Sequence, residues 1–456
     1  MNSGKKNQSV DRRGFLKTST AAGVGFWVAG GLAAKASNSP NGQLQIAQFG
    51  VGGKGKGDVR NASRFGKIHA LCDVDRGLLD RAAKSYKTEN NFTDYRELLD
   101  KLGDQIDVAV VSTPDHTHAV IAAKAMKLGM HCYCQKPLTH SIYEARKLTE
   151  IARDQGVTTQ MGNQYTAYEP MRQAAYQIRA GQLGTVKEVH VWTNRPVWPQ
   201  GEDRPEPAPV PSTLDWESWL GPAPFRPYAP AAYHDFRWRG WWDFGTGSLG
   251  DMACHTCNLP FMALNMRNPT SVEAECAEHN HDSYPEWSKI RFEFPELDGR
   301  PAFTLYWYDK SRLPSEDIYS QFLKPDPETG ETKGLAASGC IIVGDKASMY
   351  AGGDYADKGI ELNNNDPWLE VDYPRPPRAP ELGHVEEFYN GIHNPEARPV
   401  SNFVDYGGPL TETILLGNLA VWKRGLVEWD AENLEPTNDP SLRAIVQREY
   451  RDGYEL

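Results

Sequence analysis

The sequence lacks the features that would mark several other classes of protein. Its 456 residues carry 49 Lys and Arg against 60 Asp and Glu, so no basic excess is available to attract nucleic acid. The seven cysteines are odd in number and form no regular disulfide framework. Beyond the N-terminal segment no apolar run suits a membrane span, and no internal repeat is found. What remains is a globular chain long enough for two domains.

The first 36 residues have the layout of an export signal. Arg12 and Arg13 precede Phe-Leu-Lys, the stretch 18–34 carries no charge, and Ala34-Lys35-Ala36 offers a cleavage site. This resembles a twin-arginine signal, although Asp11 replaces the usual Ser or Thr. The alternative is an N-terminal membrane anchor, but the apolar run is short for one. We therefore expect export to the periplasm and no stable transmembrane anchor after the signal is removed.

A glycine-rich turn follows the first apolar run after that signal. The run 44–49 leads into Gly50, Gly52 and Gly55 at the spacing G-x-G-x-x-G, which after a strand serves to bind a dinucleotide. A second predicted strand, 66–73, ends in Asp73, where an acid bonds the ribose hydroxyls of adenosine and repels a 2′-phosphate. The alternative is an ordinary strand–turn–helix with a surface Asp. The context favours a nucleotide site and NAD over NADP.

Strands and helices then alternate through the first domain, which predicts a doubly wound parallel sheet. The predicted helices are 74–87, 93–102 with Thr93 as N-cap, 116–128, and one that begins at the capping box of Ser141 and Glu144 and ends at Gly156. The predicted strands are 106–111, 130–134 and 157–161. Ligands bind at the carboxyl ends of such strands, and those ends carry Gly50, Asp73, Thr113, Lys136 and Asn163.

The second half of the chain has a different pattern. Residues 195–230 are rich in Pro and Trp and predict a long, packed loop over the site, the alternative being a disordered insert. A predicted helix over 251–264 brings Asp251 and His255 to one face. Five predicted strands favour an antiparallel sheet: 271–277, 288–294, 302–308, 340–343 and 347–350. Further helices are predicted at 166–180, 380–392 and 408–424, and another strand at 184–193.

Four strings occur in the order L-C-D-V-D, S-T-P-D-H-T-H-A, C-Q-K-P-L and G-D-M-A-C-H. Over roughly residues 43–425 the chain thereby resembles the Gfo/Idh/MocA oxidoreductases. The resemblance implies an N-terminal Rossmann domain and a C-terminal α/β domain with a large open, mainly antiparallel sheet. It also implies action on sugars or polyols with NAD or NADP. Two positions depart from the family pattern, since Gln135 replaces its Glu and Asp115 replaces its Asn.

We accordingly predict four segments: the signal at 1–36, the Rossmann domain at 37–163, a substrate-binding and oligomerisation domain at 164–425, and a tail at 426–456. The chain is expected to form a homo-oligomer, a dimer or a tetramer. No metal site is predicted, because Cys254-His255-Thr256-Cys257 lacks a second ligand pair and His279-Asn280-His281-Asp282 suits a solvated loop.

Three residues are predicted to be catalytic. His255 suits the base that takes a hydroxyl proton, Asp251 would orient its ring, and the charge of Lys136 would stabilise the alkoxide. The alternative for His255 is a structural histidine. The predicted cofactor contacts are Gly50, Gly52, Gly53, Gly55, Asp73, Thr113, Pro114, His118, Gln135, Lys136 and Asn163. The predicted sugar contacts, chosen by position alone, are Tyr165, Arg195, Trp198, His234 and Trp241.

These features favour an enzyme that transfers hydride between NAD and a secondary alcohol of a sugar, glycoside or polyol. Free NAD should be scarce outside the inner membrane, so we expect the cofactor to stay bound and to be recycled within each turnover. Redox-neutral chemistry is one alternative, with transient oxidation leading to hydrolysis, elimination or epimerisation. The other is a binding protein that keeps the nucleotide fold without catalysis.

Overall fold

The computed structural model describes residues 42–325 and 329–456, so the predicted signal lies outside the described residues. In these two ranges every helix is too short or too polar to cross a membrane. The strands are β1 Gln45–Phe49, β2 Lys67–Cys72, β3 Asn91–Phe92, β4 Val108–Val111, β5 His131–Cys134, β6 Thr159–Met161, β7 Val186–Trp192, β8 Ser271–Cys276, β9 Ser288–Phe294, β10 Phe303–Tyr308, β11 Gly339–Gly344, β12 Ser348–Gly352, β13 Ile360–Leu362, β14 Leu426–Asp430 and β15 Glu435–Pro436.

The helices pack against the two sheets that these strands form. They are α1 Gly53–Ala62, α2 Arg76–Tyr86, α3 Tyr95–Leu102, α4 Asp115–Lys127, α5 Ile142–Gln155, α6 Glu169–Arg179, α7 Trp216–Leu220, α8 Gly247–Thr256, α9 Asn258–Leu264, α10 Glu316–Tyr319, α11 Pro380–His393, α12 Gly408–Lys423 and α13 Arg443–Val446. A single π-helical turn, Phe403–Gly407, leads into α12.

The first sheet confirms the predicted doubly wound architecture. Its described strands run in the order β3-β2-β1-β4-β5-β6, and every pairing is parallel. Strands β4 and β5 are buried along their whole length, as expected for parallel strands covered by helices on both faces. The strand order reverses between β1 and β4, and the crevice outside their carboxyl ends is where such folds bind ligands.

The second sheet is large, open and mainly antiparallel, as the family resemblance implies. Its described strands run in the order β13-β12-β11-β7-β10-β9-β8-β14-β15, and the β7–β10 pairing alone is parallel. Strands β8 and β9 alternate buried and exposed residues, so one face is packed. On that face α12 approaches closely: a Cβ at Gly417 would lie 2.8 Å from Phe292.

Strands β13, β14 and β15 extend this sheet but were absent from the sequence prediction. Both β13 and β15 have too few residues to show an alternating pattern. Strand β14 starts only two residues beyond α12 and pairs with β8. The chain beyond residue 425 therefore continues the same sheet before its last residues return to the Rossmann domain.

Several predicted element boundaries need correction. The N-cap of α3 is Asp94, whose carboxylate accepts the backbone N–H of Arg96, and not Thr93. The predicted helix over 251–264 starts earlier, at Gly247, and breaks at Cys257. Pro260 explains the break, because proline cannot donate the hydrogen bond that would continue the helix from Thr256.

Residues 195–246, here called the aromatic insert, form an ordered layer with its own core. That core comprises Leu214, Trp216, Trp219, Leu220, Ala223, Ala229, Tyr233, Trp238, Trp241 and Phe244. The insert is fastened to the Rossmann domain just beyond β2. There Arg76 donates its backbone N–H to Thr213 at 2.9 Å, and Asp215 donates to Val74 at 2.9 Å. The prediction of a packed loop is confirmed, and its position over the crevice follows from this pairing.

Candidate active site

A cleft of about 460 Å³ opens at the carboxyl ends of β1, β2 and β4. This volume lies within the range of about 300–1,000 Å³ that is typical of small-molecule sites. One wall consists of Rossmann loops, and the aromatic insert supplies the opposite wall. At one end the lining includes Tyr454, whose ring lies 4.5 Å from the Arg96 guanidinium. Distant parts of the chain therefore enclose the space next to the glycine-rich turn.

The glycine-rich turn shows why these positions exclude side chains. Gly50 has a φ of +80°, and a Cβ there would lie 2.5 Å from the carbonyl oxygen of Ser112. A Cβ on Gly55 would lie 2.2 Å from the carbonyl oxygen of Gly50, so the start of α1 packs directly on the turn. Gly52 and Gly53 line the cleft where α1 begins. The turn thus brings the positive end of α1 to the cleft, as anion binding requires.

Asp73 lies just past the end of β2 and lines the cleft. Its carboxylate accepts backbone N–H groups from Val51 at 2.8 Å and from Asp75 at 2.9 Å. Burial raises the pKa of Asp73, and these two hydrogen bonds oppose that effect. Each carboxylate oxygen retains further acceptor capacity. The side chain is therefore held in place and can still accept a hydroxyl.

Gln135 contacts Asp58, a buried acid whose role the sequence did not reveal. Its amide nitrogen donates to Asp58 at 2.9 Å, and the Ser112 hydroxyl donates to the same oxygen at 2.8 Å. The other oxygen of Asp58 lies 3.2 Å from the Lys54 ammonium. Burial raises the pKa of Asp58, while Lys54 lowers it. A glutamate at 135 would bring two carboxylates together, so the amide is the suitable partner here.

Lys136 and Asp251 form the central ion pair of the site. The Lys136 ammonium donates to the Asp251 carboxylate and to its backbone carbonyl, both at 2.8 Å. Arg239, from the aromatic insert, donates to the same carboxylate oxygen at 3.1 Å. Burial raises the pKa of Asp251, but Lys136 and Arg239 outweigh burial and hold it below its ordinary value. Asp251 is therefore an anion that fixes two cations, one from each wall of the cleft.

His255 lies one turn beyond Asp251 on α8 and is buried. Burial lowers the pKa of His255 well below its usual value, and the charge of Lys136 lowers it further. The ring is consequently neutral at pH 7, and its Nδ1 has no hydrogen-bond partner among the described residues. The predicted orienting role of Asp251 is wrong, because the described part of the chain contains no hydrogen bond between the two. Tyr355 instead packs against the ring, with centroids 4.8 Å apart.

Two protein-family models match this chain. Residues 44–163 match the GFO_IDH_MocA model, described as oxidoreductase family, NAD-binding Rossmann fold. Residues 181–300 match the model of the oxidoreductase family's C-terminal alpha/beta domain, and together the matches cover just over half of the chain. The chain belongs to the Gfo/Idh/MocA oxidoreductase family.

Individual relatives of this oxidoreductase are distant. The uncharacterized oxidoreductase YrbE of Bacillus subtilis is 29% identical over 145 residues, which cover 31% of this chain and 42% of YrbE. A glycosyl hydrolase family 109 protein of Shewanella baltica is 28% identical over 172 residues, which cover 32% of this chain and 37% of that protein. The chain thus spans about two fifths of the length of the curated relatives it matches.

The similarity to one solved structure covers most of this chain. The WlbA dehydrogenase of Bordetella pertussis, in complex with NADH and UDP-GlcNAcA, superposes with a TM-score of 0.56 and 15% identity. The match covers 84% of this chain and 96% of WlbA. At this identity the likeness establishes the fold alone.

Most of the predicted cofactor contacts line the cleft of this oxidoreductase, but Gly55, which packs behind the turn, and the side chains of His118 and Asn163 do not. The His118 ring lies between the carbonyl oxygens of Thr113 at 2.8 Å and Pro137 at 2.9 Å. It therefore braces two cleft loops from behind. Asn163 is fully buried and accepts the Ser401 hydroxyl at 2.5 Å. Direct contact between these two side chains and a cofactor was wrongly predicted, because a place at a strand end does not determine where a side chain points.

The predicted sugar contacts divide into two groups. Tyr165 stacks on Tyr355 with centroids 4.2 Å apart, and Arg195 lies 3.1 Å from the carboxylate of Asp354. Both therefore gather on the His255 side of the site. His234 instead lies 3.6 Å from the Asp75 carboxylate, near the end of β2.

The two predicted tryptophan contacts belong to the interior of the aromatic insert. Trp198 is 5% exposed and donates to Gln200, and Trp241 is 2% exposed and donates to the carbonyl of Ala232. These sugar contacts were wrongly predicted, because packing within the insert has already satisfied both indole N–H groups.

Two residues of the cleft carry charges whose roles the sequence did not reveal. The Arg239 guanidinium lies 4.2 Å from the Trp238 ring and 4.6 Å from that of Phe236, so aromatic faces hold it in position. Asp115, at the start of α4, accepts the Thr246 hydroxyl at 2.7 Å. Burial raises the pKa of Asp115 to about 7, despite the opposing charge of Arg239. The string around Arg239 is conspicuous in the sequence, and Asp251 was itself predicted as a site residue, but the pairing of the two was not.

Proposed function

We propose that this chain is an NAD-dependent enzyme that transfers hydride at a secondary alcohol of a sugar, glycoside or polyol. The observation that carries the proposal is the juxtaposition of Lys136, Asp251 and neutral His255 beside a glycine-rich nucleotide turn. Lysine and histidine supply the two functions that alcohol oxidation needs, a positive charge and a proton acceptor. The sugar class is supported by the relatives, one named a glycosyl hydrolase and one solved with UDP-GlcNAcA.

The cleft fits a nicotinamide dinucleotide. Gly50, Gly52 and Gly53 line the cleft and leave room for a pyrophosphate at the start of α1, while Gly55 lets α1 pack on the turn. Asp73 offers its carboxylate where the ribose of an adenosine would lie and would repel a 2′-phosphate. NAD is therefore the proposed cofactor rather than NADP. Titration of both into the cofactor-free protein tests this choice, and tighter binding of NADP would contradict it.

The residues of the site divide the work of the reaction. When bound, the nicotinamide supplies the hydride acceptor. His255 takes the hydroxyl proton on its neutral ring, and the ammonium of Lys136 stabilises the negative charge that develops on oxygen. Asp251 holds that ammonium in place and, through Arg239, ties the aromatic insert to the same point. In the reverse direction His255 returns the proton.

Two contacts across the walls of the cleft support a cofactor that does not exchange. The aromatic insert is paired to the chain just past Asp73, and Tyr454 lines the same cleft. We propose that the twin-arginine signal exports the folded, cofactor-loaded enzyme to the periplasm, where it works as a homo-oligomer. Each catalytic cycle would then restore the cofactor, either by reducing a second sugar or by oxidising, altering and reducing one sugar.

The decisive experiment is to purify the protein without added cofactor, denature it and assay the released nucleotide. We expect about one NAD or NADH per chain. Nucleotide well below one per chain, with steady NADH release during turnover, would show an exchanging cosubstrate. Fractionation of cells producing the full sequence tests periplasmic location, and light scattering of the purified protein tests the oligomeric state.

Redox-neutral glycoside cleavage is the second candidate, favoured by the similarity to a glycosyl hydrolase family 109 protein. In that case oxidation of a ring hydroxyl to a ketone acidifies a neighbouring C–H bond, and loss of that proton expels the aglycone. Water then adds to the unsaturated ketone, and the ketone is reduced again. Product analysis separates the two candidates. Cleavage yields free aglycone with no net change in NADH, whereas dehydrogenation yields a ketone or lactone together with an equivalent of reduced cofactor or reduced second substrate.

A further inference from the structure

A second cavity of about 310 Å³ lies between α5, α12, the aromatic insert and the C-terminal segment. It shares no lining residue with the active-site cleft within the described ranges. Its volume is at the lower end of the range for small-molecule sites. Six of the residues that line it carry the argument: His140, Trp242, Tyr284, Asn418, Trp422 and Arg448.

Aromatic rings form one side of this cavity. Trp242 stacks on Tyr284 with centroids 3.7 Å apart, and Trp422 stands perpendicular to Trp242 at 5.0 Å. Such rings offer flat, apolar faces whose position is fixed by the neighbouring ring. A flat ligand face that bears C–H groups suits them.

One polar atom beside the same space has no protein partner in the described part of the chain. Trp242 is 8% exposed, yet its indole N–H has no hydrogen-bond partner among the described residues. The buried His140 ring lies against the backbone of Trp242 and Gly245, and burial lowers its pKa well below its ordinary value, so the ring is neutral. A purely apolar ligand would leave the indole N–H of Trp242 unsatisfied.

The charges of the cavity argue against an anionic ligand. Arg448 already donates to the carbonyls of His116 at 2.8 Å and Asp243 at 3.2 Å, and it lies 3.4 Å from the Glu144 carboxylate. The acidic Asp243 and Glu449 also line the cavity. A phosphate or carboxylate would therefore meet carboxylates and a guanidinium that is already paired.

We propose that this cavity binds a neutral sugar of one or two rings. Such a ligand combines an apolar C–H face for the tryptophans with hydroxyls that both donate and accept hydrogen bonds. The binding proposal does not depend on the proposed function, because it rests on the lining of a separate cavity.

The cavity and the active site share a wall, the segment 239–246. Arg239 at its start binds Asp251 in the active site, whereas Trp242 faces the second cavity. The Asn418 amide donates to the carbonyl of Thr246 at 2.9 Å, and the Thr246 hydroxyl donates to Asp115. A sugar against Trp242 and Asn418 would therefore contact the segment that positions the charges of the active site.

Binding is tested by equilibrium dialysis of the full, cofactor-loaded protein with labelled glucose and labelled maltose. Trp422→Ala removes one aromatic face, and Ile445→Trp fills the cavity from the C-terminal segment. Trp368→Ala changes a tryptophan that lines neither cavity and serves as the matched control. Lys136→Ala impairs the active-site cleft. Thermal unfolding of every variant shows whether its fold is retained.

We expect saturable binding of at least one of the two sugars that survives in Lys136→Ala and Trp368→Ala. Both cavity variants should weaken it at least about tenfold, equivalent to about 1.4 kcal/mol. No binding of either sugar to the Lys136→Ala protein, or binding unchanged in Trp422→Ala and Ile445→Trp, would overturn the proposal. If instead cavity binding is present while no sugar is turned over, the proposed function fails and this inference stands.

Discussion

The two walls of the active-site cleft are built by different means. On the Rossmann side, local geometry fixes the glycine-rich turn and Asp73: a tight turn, a helix start and two backbone hydrogen bonds. On the opposite side, Arg239 is held by packing within the aromatic insert and by an ion pair to Asp251. The Rossmann wall suits a part of the ligand that many enzymes share. The residues of the opposite wall can vary without disturbing the Rossmann wall. Substitutions on each wall separate these contributions.

The largest effect is expected at Lys136 and His255, where the two walls meet. Lys136→Ala and His255→Ala should each lower kcat at least about a hundredfold, the lower end of the range for general acid–base steps. Both variants should fold and retain NAD, which denaturation and nucleotide assay would show. Lys101→Ala, on the exposed face of α3, is the control and should be unaffected. Turnover close to that of the control would remove the altered residue from the mechanism.

A substitution in the Rossmann wall should act on stability. Gln135→Glu brings a second carboxylate against Asp58, so we expect a loss of about 2 kcal/mol in the free energy of unfolding at neutral pH. Chemical denaturation measures this loss. The double variant Gln135→Glu with Asp58→Asn restores a donor–acceptor pair and should recover most of it. Equal stability of Gln135→Glu and wild type at neutral pH would contradict the proposed contact.

A substitution in the opposite wall should act mainly on catalysis. Arg239→Ala removes one of the two cations on Asp251 and breaks the contact between the aromatic insert and that residue, so we expect kcat/KM to fall about tenfold. Cofactor content should be unchanged. Arg237→Ala alters an exposed arginine two residues away and provides the matched control. Steady-state kinetics compares the two, and equal effects would mean that Arg239 acts only through the surface charge of the insert.

A pH dependence of stability is expected at the point where α4 meets the insert. The pKa of Asp115 is raised to about 7 in the folded protein, against about 4 in an unfolded chain. Between these values the folded state keeps a proton that the unfolded state has lost, so stability falls as pH rises through this window. Asp115→Asn should lose this contribution. Denaturation at pH 5 and pH 8 tests it, and an identical pH dependence of wild type and variant would refute it.

The sequence predicted those features whose causes are local. The glycine-rich turn, the alternating strands and helices, the capping box at Ser141 and the single helical face shared by Asp251 and His255 all follow from residues within a few turns of one another. Because the carboxyl ends of parallel strands converge, the position of Asp73 and Lys136 beside that turn could also be predicted.

The remainder depends on contacts between distant segments. Trp198 and Trp241 have the residue type of a sugar platform, but Trp241 is buried in the aromatic core of the insert and Trp198 is buried against Phe236. Contacts with other parts of the insert decide this burial. The partners of Asp251 are Lys136 and Arg239 and not His255. These partners come from two other elements of the fold, so residues close to Asp251 in the sequence do not reveal them. Likewise, Gln135 is explained only by Asp58, which lies 77 positions earlier in the chain.

The position of Tyr454 in the cleft wall affects the order in which the cleft can be completed during folding. Its ring packs beside Tyr95 and Arg96 in the wall of the active-site cleft, which also contains the glycine-rich turn that begins at Gly50. That wall can therefore close only after the segment around Tyr454 has been synthesised and has folded back onto the Rossmann domain. Nucleotide captured by a nascent Rossmann domain would lie in an unfinished pocket and could escape. Firm retention of the nucleotide would thus report that the segment around Tyr454 has folded against the Rossmann domain.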